Sequence, residues 1–227
     1  MRMIPFSQLP DSMRTDAVKP YYDILSKKSK SLFLKRVMDI IASLLLIVIL
    51  ILPMLVISIA IKFTSKGPVI YKQVRVTTYG KHFKIWKFRT MVVDADKKGE
   101  LTCSDDDRIT KVGKFLRKFR LDELPQIFHV LSGKMSIVGT RPEVPRYVDA
   151  YTPEMMATLL MPAGVTSLAS IMFKDEAELL EKTTDVDKEY IEVILPQKME
   201  YNLRYIYRFG FRRDLYLIFK TVLEVLK

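Results

Sequence analysis

The stretch KRVMDIIASLLLIVILILPMLVISIAIKFTSK, residues 35–66, decides how the chain is organised. Lys35 and Arg36 stand before its apolar run, and Lys62 and Lys66 stand after it. Between them, Val37 to Ile61 is interrupted by Asp39 near the start and Pro53 past the middle. A helix that crosses a membrane carries its basic flank on one side. Two basic flanks put both ends on the cytoplasmic side, and a helix that enters the lipid, breaks at Pro53 and returns satisfies that. About 25 apolar positions also reach across a bilayer core at ~1.5 Å per residue, so a simple span fits the length too. Split at Pro53, roughly 16 and 9 residues remain, each too short to cross alone at that rise. A buried helix of a soluble domain is the third reading. Asp39 is costly in hydrocarbon and is expected at the interface or paired with a cation such as Arg36.

Outward from this stretch, residues 1–34 form a polar extension with a basic cluster at Lys27, Lys28 and Lys30. It is read as lying on the membrane face or on the domain, with disorder as the alternative. Beyond residue 62 the pattern shortens. Val69 to Tyr71 and Phe83 to Phe88 read as strands around a Tyr79-Gly80 turn. Residues 94–111 are charged and loop-like. Helices are expected at 111–120, 121–131, 153–161, 175–182, 186–208 with a bend at Pro196, and 212–226. The last carries Leu215, Ile218, Phe219, Val222 and Leu226 on one face. Tyrosines and arginines mixed over 201–213 suit a membrane interface or a helix packed on the core. The fold class expected is therefore α/β, mainly helical. A re-entrant membrane helix (35–62) precedes a compact cytoplasmic domain (63–227) with a few short strands and amphipathic interfacial helices.

The 227 residues allow one domain of good core size beside a membrane segment. A net charge of +11 points to an anionic partner: phosphates, acidic lipid headgroups or nucleic acid. No nucleic-acid motif accompanies the charge. Cys103 is the single cysteine, so an internal disulfide is excluded, which fits a cytoplasm-facing domain. The apolar run starts too far into the chain for a secretory signal peptide.

The sharpest local constellation runs from Arg117 to Gln126, RKFRLDELPQ. Asp122 and Glu123 follow a cluster of cations. Adjacent residues on a helix point about 100° apart, so two separate jobs suit the pair better than a shared proton. One carboxylate can attack phosphorus while its neighbour holds a metal ion, with cations neutralising the phosphoryl oxygens. A solvated, charged helix start is the other reading. Lys87 and Arg89 place two cations on one side of a strand, with Phe88 facing away. Arg141 stands in a rigid glycine-proline turn and suits bidentate phosphate contact. His82 and His129 are the only histidines, so a His-rich zinc site is not available. Nucleophile-elbow, Walker and dinucleotide fingerprints are missing. Asp105, Asp106 and Asp107 read as a solvated acidic loop.

With these segments in order, the chain resembles the bacterial sugar transferases known as small monotopic phosphoglycosyl transferases, from about Lys35 to the C-terminus. The motifs that carry the resemblance are Lys35-Arg36-x-x-Asp39, Ile61-Lys62-x-x-Ser65-x-Gly67-Pro68-Val69, Lys87 to Met91, Leu121 to Gln126, and Met135 to Glu143. The resemblance implies transfer of a sugar phosphate from a UDP-sugar to a polyprenyl (undecaprenyl) phosphate, releasing UMP and initiating surface polysaccharide or glycoconjugate synthesis. It implies Asp122 as nucleophile, Glu123 as a ligand of Mg²⁺, and Lys87, Arg89, Arg117 and Arg141 around the phosphates. It further implies a monotopic protein on the cytoplasmic face of the bacterial inner membrane, in contact with the lipid bilayer and not with nucleic acid. A homo-oligomer and a monomer fit it equally. The chain departs from the family pattern at Leu52, where serine is common, and at Met161, where relatives carry a basic residue. A non-catalytic membrane scaffold is the competing reading, and the Asp122-Glu123 pair argues against it.

Overall fold

The computed structural model describes residues 3–93, 95, 107–173 and 185–225. Cys103, Asp105, Asp106 and the helix expected at 175–182 lie outside the described residues.

The N-terminal extension packs on the domain. Two single turns, Phe6–Gln8 and Asp11–Met13, lead to helix α1 (Lys19–Ser26). Leu9, Met13, Val18 and Leu25 are buried in a core shared with Leu160, Tyr205, Ile206, Phe209 and Leu217. Burying four such side chains offsets the entropy of ordering a short polar segment, at ~1.5–3 kcal/mol for each large apolar side chain.

Helix α2 (Ser29–Thr64) is the long apolar element, 36 residues with Pro53 inside it. It starts earlier than the expected Lys35 and ends beyond Lys62. The expectation of two helical arms separated at Pro53 is corrected: the helix continues through that residue. Proline's fixed φ is itself helical; the cost is one missing N–H and crowding of the carbonyl four residues back, which bends a helix without ending it. The sides of α2 divide sharply. Val48, Leu52 and Phe63 are 75%, 68% and 87% exposed, and they belong to an apolar face that runs the length of the helix. The opposite side is tied to the domain at both ends. Near the start, Lys35 Nζ donates to Asp214 Oδ2 at 2.8 Å and to the Val138 carbonyl at 2.6 Å. Near the end, Met54 and Ile61 pack with Phe88 and Leu116.

Asp39 is not paired with Arg36. It is 3% exposed and accepts from Ser136 Oγ at 2.8 Å and the Ile137 N–H at 3.0 Å. Arg36 instead donates to the carbonyls of Val130 and Leu131, both at 2.7 Å. Those are acceptors left open at a helix C-terminus, where a cation also meets the favourable end of the helix dipole.

Strands β1 (Ile70–Val76) and β2 (His82–Phe88) pair antiparallel, with Ile70 opposite Phe88 and Val76 opposite His82. The turn between them puts Tyr79 and Gly80 at φ 58° and 73°, the left-handed region that favours glycine. β1 runs further than expected because Lys72 and Arg75 lie inside it. Helix α3 (Lys111–Lys118) is followed by a 3₁₀ segment, Leu121–Gln126, and then α4 (Ile127–Ser132).

Strands β3 (Met135–Val138) and β4 (Ala163–Thr166) pair in parallel, joined through α5 (Pro145–Val148) and a 3₁₀ segment, Met155–Leu160. Neither strand was expected. Their close approach needs glycine: a side chain at Gly164 would sit 2.2 Å from the Gly139 nitrogen. Helices α6 (Leu168–Met172) and α7 (Val186–Glu189) follow. A π-helical turn, Tyr190–Ile194, then leads into α8 (Leu195–Tyr207), with Pro196 in its first turn, where proline is tolerated. The last helix is α9 (Phe211–Val225). It turns Asp214 and Leu217 inward and leaves Leu215, Phe219 and Val222 exposed.

Candidate active site

The chain between α3 and α4 builds the centre of the site. Arg120 has φ 52°, a left-handed conformation in a residue with a side chain, and it redirects the backbone into the 3₁₀ segment. That tighter helix carries Asp122 and Glu123 into one cavity of about 1060 Å³. β2 supplies Lys87, α3 supplies Arg117, and the loop after β3 supplies Arg141 to the same cavity. Leu46 and Leu50 of α2 form part of its wall. A surface charge cluster would point away from such a space, so the reading of a merely solvated helix start fails for Asp122, which is 9% exposed.

The two carboxylates are held very differently. Glu123 accepts from Lys87 Nζ at 3.0 Å and from Arg141 Nη1 at 3.0 Å, and Arg141 Nη2 closes a bidentate pair. Burial pushes the Glu123 carboxyl up, but Arg141 and Lys87 outweigh it and hold the group well below the usual carboxylate range. Among the described residues, no side chain or backbone N–H donates to the Asp122 carboxylate. Burial raises its carboxyl above the ordinary value, with Lys87, Arg117 and Arg141 opposing and Glu123 adding to the rise. Lys87 is lowered, chiefly by burial, with Glu123 pulling the other way. Arg141 is raised, first by the Glu123 charge.

Of the six expected residues, Asp122, Glu123, Lys87, Arg117 and Arg141 converge. Arg117 Nε donates to Thr90 Oγ1 at 2.9 Å, which fixes its stem. Arg89 borders the same cavity, but its Nη2 donates to Ser65 Oγ at 2.7 Å and to the Ser65 carbonyl at 2.9 Å. It therefore ties the end of β2 to the chain leaving α2. His129 is a neutral packing residue: its Nε2 accepts from the Trp86 N–H at 3.2 Å, and burial lowers its pKa to about 4.

Residues without an expected role hold the Arg141 loop. Glu143 is 6% exposed and accepts from Tyr190 Oη at 2.7 Å and Lys198 Nζ at 3.4 Å. Arg75 donates to the Pro142 carbonyl at 3.3 Å. Glu143 stands in the motif read from the sequence, but Lys198 and Tyr190 lie some fifty residues on, with no local signal linking them to it.

Mg²⁺ favours octahedral oxygen ligands and is commonly held by one or two carboxylates together with substrate phosphates and water. Among the described residues, no three His, Cys, Asp or Glu side chains gather into a metal cage. Asp122 offers its carboxylate, and Glu123 Oε2 retains one lone pair beside its arginine bond. The donor set thus fits an ion carried in with a diphosphate.

Fold and site together define a protein in which one long apolar helix, of a kind that suggests membrane association, is built against a cavity lined by Lys87, Arg117, Arg141 and the Asp122 carboxylate. The sequence profile of the family described as "Bacterial sugar transferase" matches residues 30–227, and the chain belongs to that family. The chain is 42% identical over 195 residues to the UDP-glucose:undecaprenyl-phosphate glucose-1-phosphate transferase of Klebsiella pneumoniae, covering 84% of this chain and 39% of that protein. It is 37% identical over 221 residues to the protein of the same name from Escherichia coli (strain K12), covering 94% and 44%. It is 36% identical over 198 residues to the UDP-N-acetylgalactosamine-undecaprenyl-phosphate N-acetylgalactosaminephosphotransferase of Aeromonas hydrophila, covering 86% and 44%. The chain spans less than half the length of these three relatives.

Proposed function

We propose that the protein transfers a sugar 1-phosphate from a UDP-sugar to polyprenyl phosphate, through a covalent phosphosugar intermediate on Asp122. The observation that carries this reading is the unpaired, cavity-facing Asp122 carboxylate beside three cations and a Glu123 bonded to Lys87 and Arg141. Asp122 attacks the sugar-linked phosphorus, the bond to the bridging oxygen breaks, and UMP leaves with that electron pair. The polyprenyl phosphate oxygen then attacks the same phosphorus, and the acyl-phosphate bond breaks to restore the carboxylate. Lys87, Arg117 and Arg141 neutralise the phosphoryl oxygens throughout. Glu123 keeps Lys87 and Arg141 in position. Mg²⁺, when bound through Asp122 or Glu123 with the diphosphate, supplies further charge neutralisation. The names of the relatives, which specify undecaprenyl phosphate and UDP-sugars, support the choice of donor and acceptor.

The membrane arrangement in this reading is monotopic, on the cytoplasmic face of the bacterial inner membrane. Both ends of α2 are fastened to one folded body, which favours a helix that enters and returns over one whose ends lie on opposite sides. The lipid acceptor cannot leave the bilayer and the nucleotide sugar is soluble, so a site at the interface lets both reach one carboxylate in turn.

The test is UMP release from a panel of UDP-sugars with undecaprenyl phosphate and Mg²⁺, comparing wild type with Asp122→Asn. Release by wild type alone is expected. Equal release by both proteins would remove Asp122 as nucleophile.

A further inference from the structure

The cavity has a second polar wall that phosphoryl transfer leaves unused. β4 ends at Thr166, α9 contributes Thr221 and Glu224, and all three line the same cavity as Asp122. Thr221 Oγ1 donates to the Leu217 carbonyl at 2.7 Å. The 2.8 Å contact between the two threonine hydroxyls is therefore a bond donated by Thr166. Both hydroxyl protons are spent, and the pair can offer a ligand lone pairs only. Glu224, one helical turn beyond Thr221, is a carboxylate and likewise accepts when ionised.

The groups around Asp122 have the opposite polarity. Lys87, Arg117 and Arg141 carry donors and no acceptor. The same cavity thus presents donors, which suit phosphate oxygens, beside Asp122 and acceptors, which do not, at the threonine pair. An acceptor wall selects a ligand part that brings its own hydroxyl or amide protons. A sugar phosphate is polarised the same way: acceptor oxygens on phosphorus, donor hydroxyls or an N-acetyl N–H on the ring. A polyprenyl chain offers no donor and is better matched by Leu46 and Leu50.

We infer that Thr166, Thr221 and Glu224 form the sugar-recognition wall, binding ring hydroxyl or N-acetyl protons of the donor hexose and setting which sugar is accepted. The inference rests on the transfer reaction proposed above and adds the residues that discriminate among its substrates.

The test reads binding, which needs no turnover. Dissociation constants for UDP, UDP-glucose, UDP-galactose and their two N-acetylated counterparts are measured on the full chain carrying Asp122→Asn, with and without Thr166→Val or Thr221→Val. The tightest UDP-sugar is expected to weaken about tenfold or more, since a site built to bond a polar ligand group discriminates strongly when the bond is lost. UDP is expected to change by less than about twofold, within ~0.4 kcal/mol. Thr166→Ser, which keeps the hydroxyl, is expected to bind like the parent. Three results would overturn the inference: no preference for any UDP-sugar over UDP in the parent, equal weakening of UDP and UDP-sugars, or equal weakening of all four sugars. Failure of the transfer reaction itself shows separately, as wild type releasing no UMP.

Discussion

Asp122 and Glu123 are neighbours in sequence and opposites in environment. Glu123 is bonded to Arg141 and Lys87, which hold its carboxyl well below the usual carboxylate range. Asp122 accepts no bond from the described protein groups, and its carboxyl is raised by burial. A nucleophile must be ionised, so kcat/KM is expected to fall as pH drops through the raised Asp122 value, starting above the ordinary ~4 of an aspartate. A pH–rate profile checks this, and an acid limb at or below that ordinary value would contradict it. The same shift acts on stability. A carboxyl with a raised folded-state pKa favours the fold below its unfolded pKa and loses that contribution as pH rises through the folded value. At neutral pH Asp122 therefore costs stability. Asp122→Asn is expected to raise Tm while abolishing turnover, which thermal melts and UMP release check. Arg141→Lys keeps the charge and loses the bidentate geometry; about a hundredfold loss in kcat/KM is expected, by analogy with removal of one electrostatic donor.

At the scale of elements, α2 is held by charged groups that a membrane helix would ordinarily shun. The Lys35–Asp214 pair has side chains 2% and 0% exposed, and Tyr205 Oη donates to Asp214 Oδ1 at 2.7 Å. Burial raises the Asp214 carboxyl, and Lys35 opposes that rise. Lys35→Met is expected to cost about 3–5 kcal/mol, because it leaves a buried charge unpaired. Adding Asp214→Asn, which still accepts from Tyr205, is expected to recover a substantial part of that loss. Thermal melts of the two single variants and the double variant would show this as non-additivity; simple addition would mean the pair does not act as a unit. α9 shows the complementary arrangement. Its inner side presents Asp214, Leu217 and Thr221, while Leu215, Phe219 and Val222 face outward, as suits a helix lying in an interface.

For the whole molecule, the exposed apolar face of α2 and both of its anchored ends give one topological expectation. Single cysteines replacing Lys27 and Lys66, in a Cys103→Ser background, are expected to be labelled by a membrane-impermeant thiol reagent only after the cytoplasmic side is opened. Both positions are exposed. Labelling of one of them from the outside would indicate a spanning helix. The N-terminal extension belongs to the same body, since its buried Met13, Val18 and Leu25 share a core with α8 and α9.

The sequence by itself determined the long apolar helix, the adjacency of a carboxylate pair to a cluster of cations, and the mainly helical character of the domain. Each follows from local information: hydrophobic run length, charge adjacency and helical spacing. Charge adjacency could not tell that Asp122 stays unpaired while Glu123 is clamped. That depends on Lys87 and Arg141, which reach Glu123 from a strand 36 residues earlier and a loop 18 residues later. The strands β3 and β4 escaped the reading because four-residue strands around Gly139 and Gly164 lack a clear alternating pattern, and their parallel pairing is non-local. Asp39 was misplaced for the same reason. Its partners, Ser136 and Ile137, lie almost one hundred residues away, and only the packed domain brings their donors to the carboxylate.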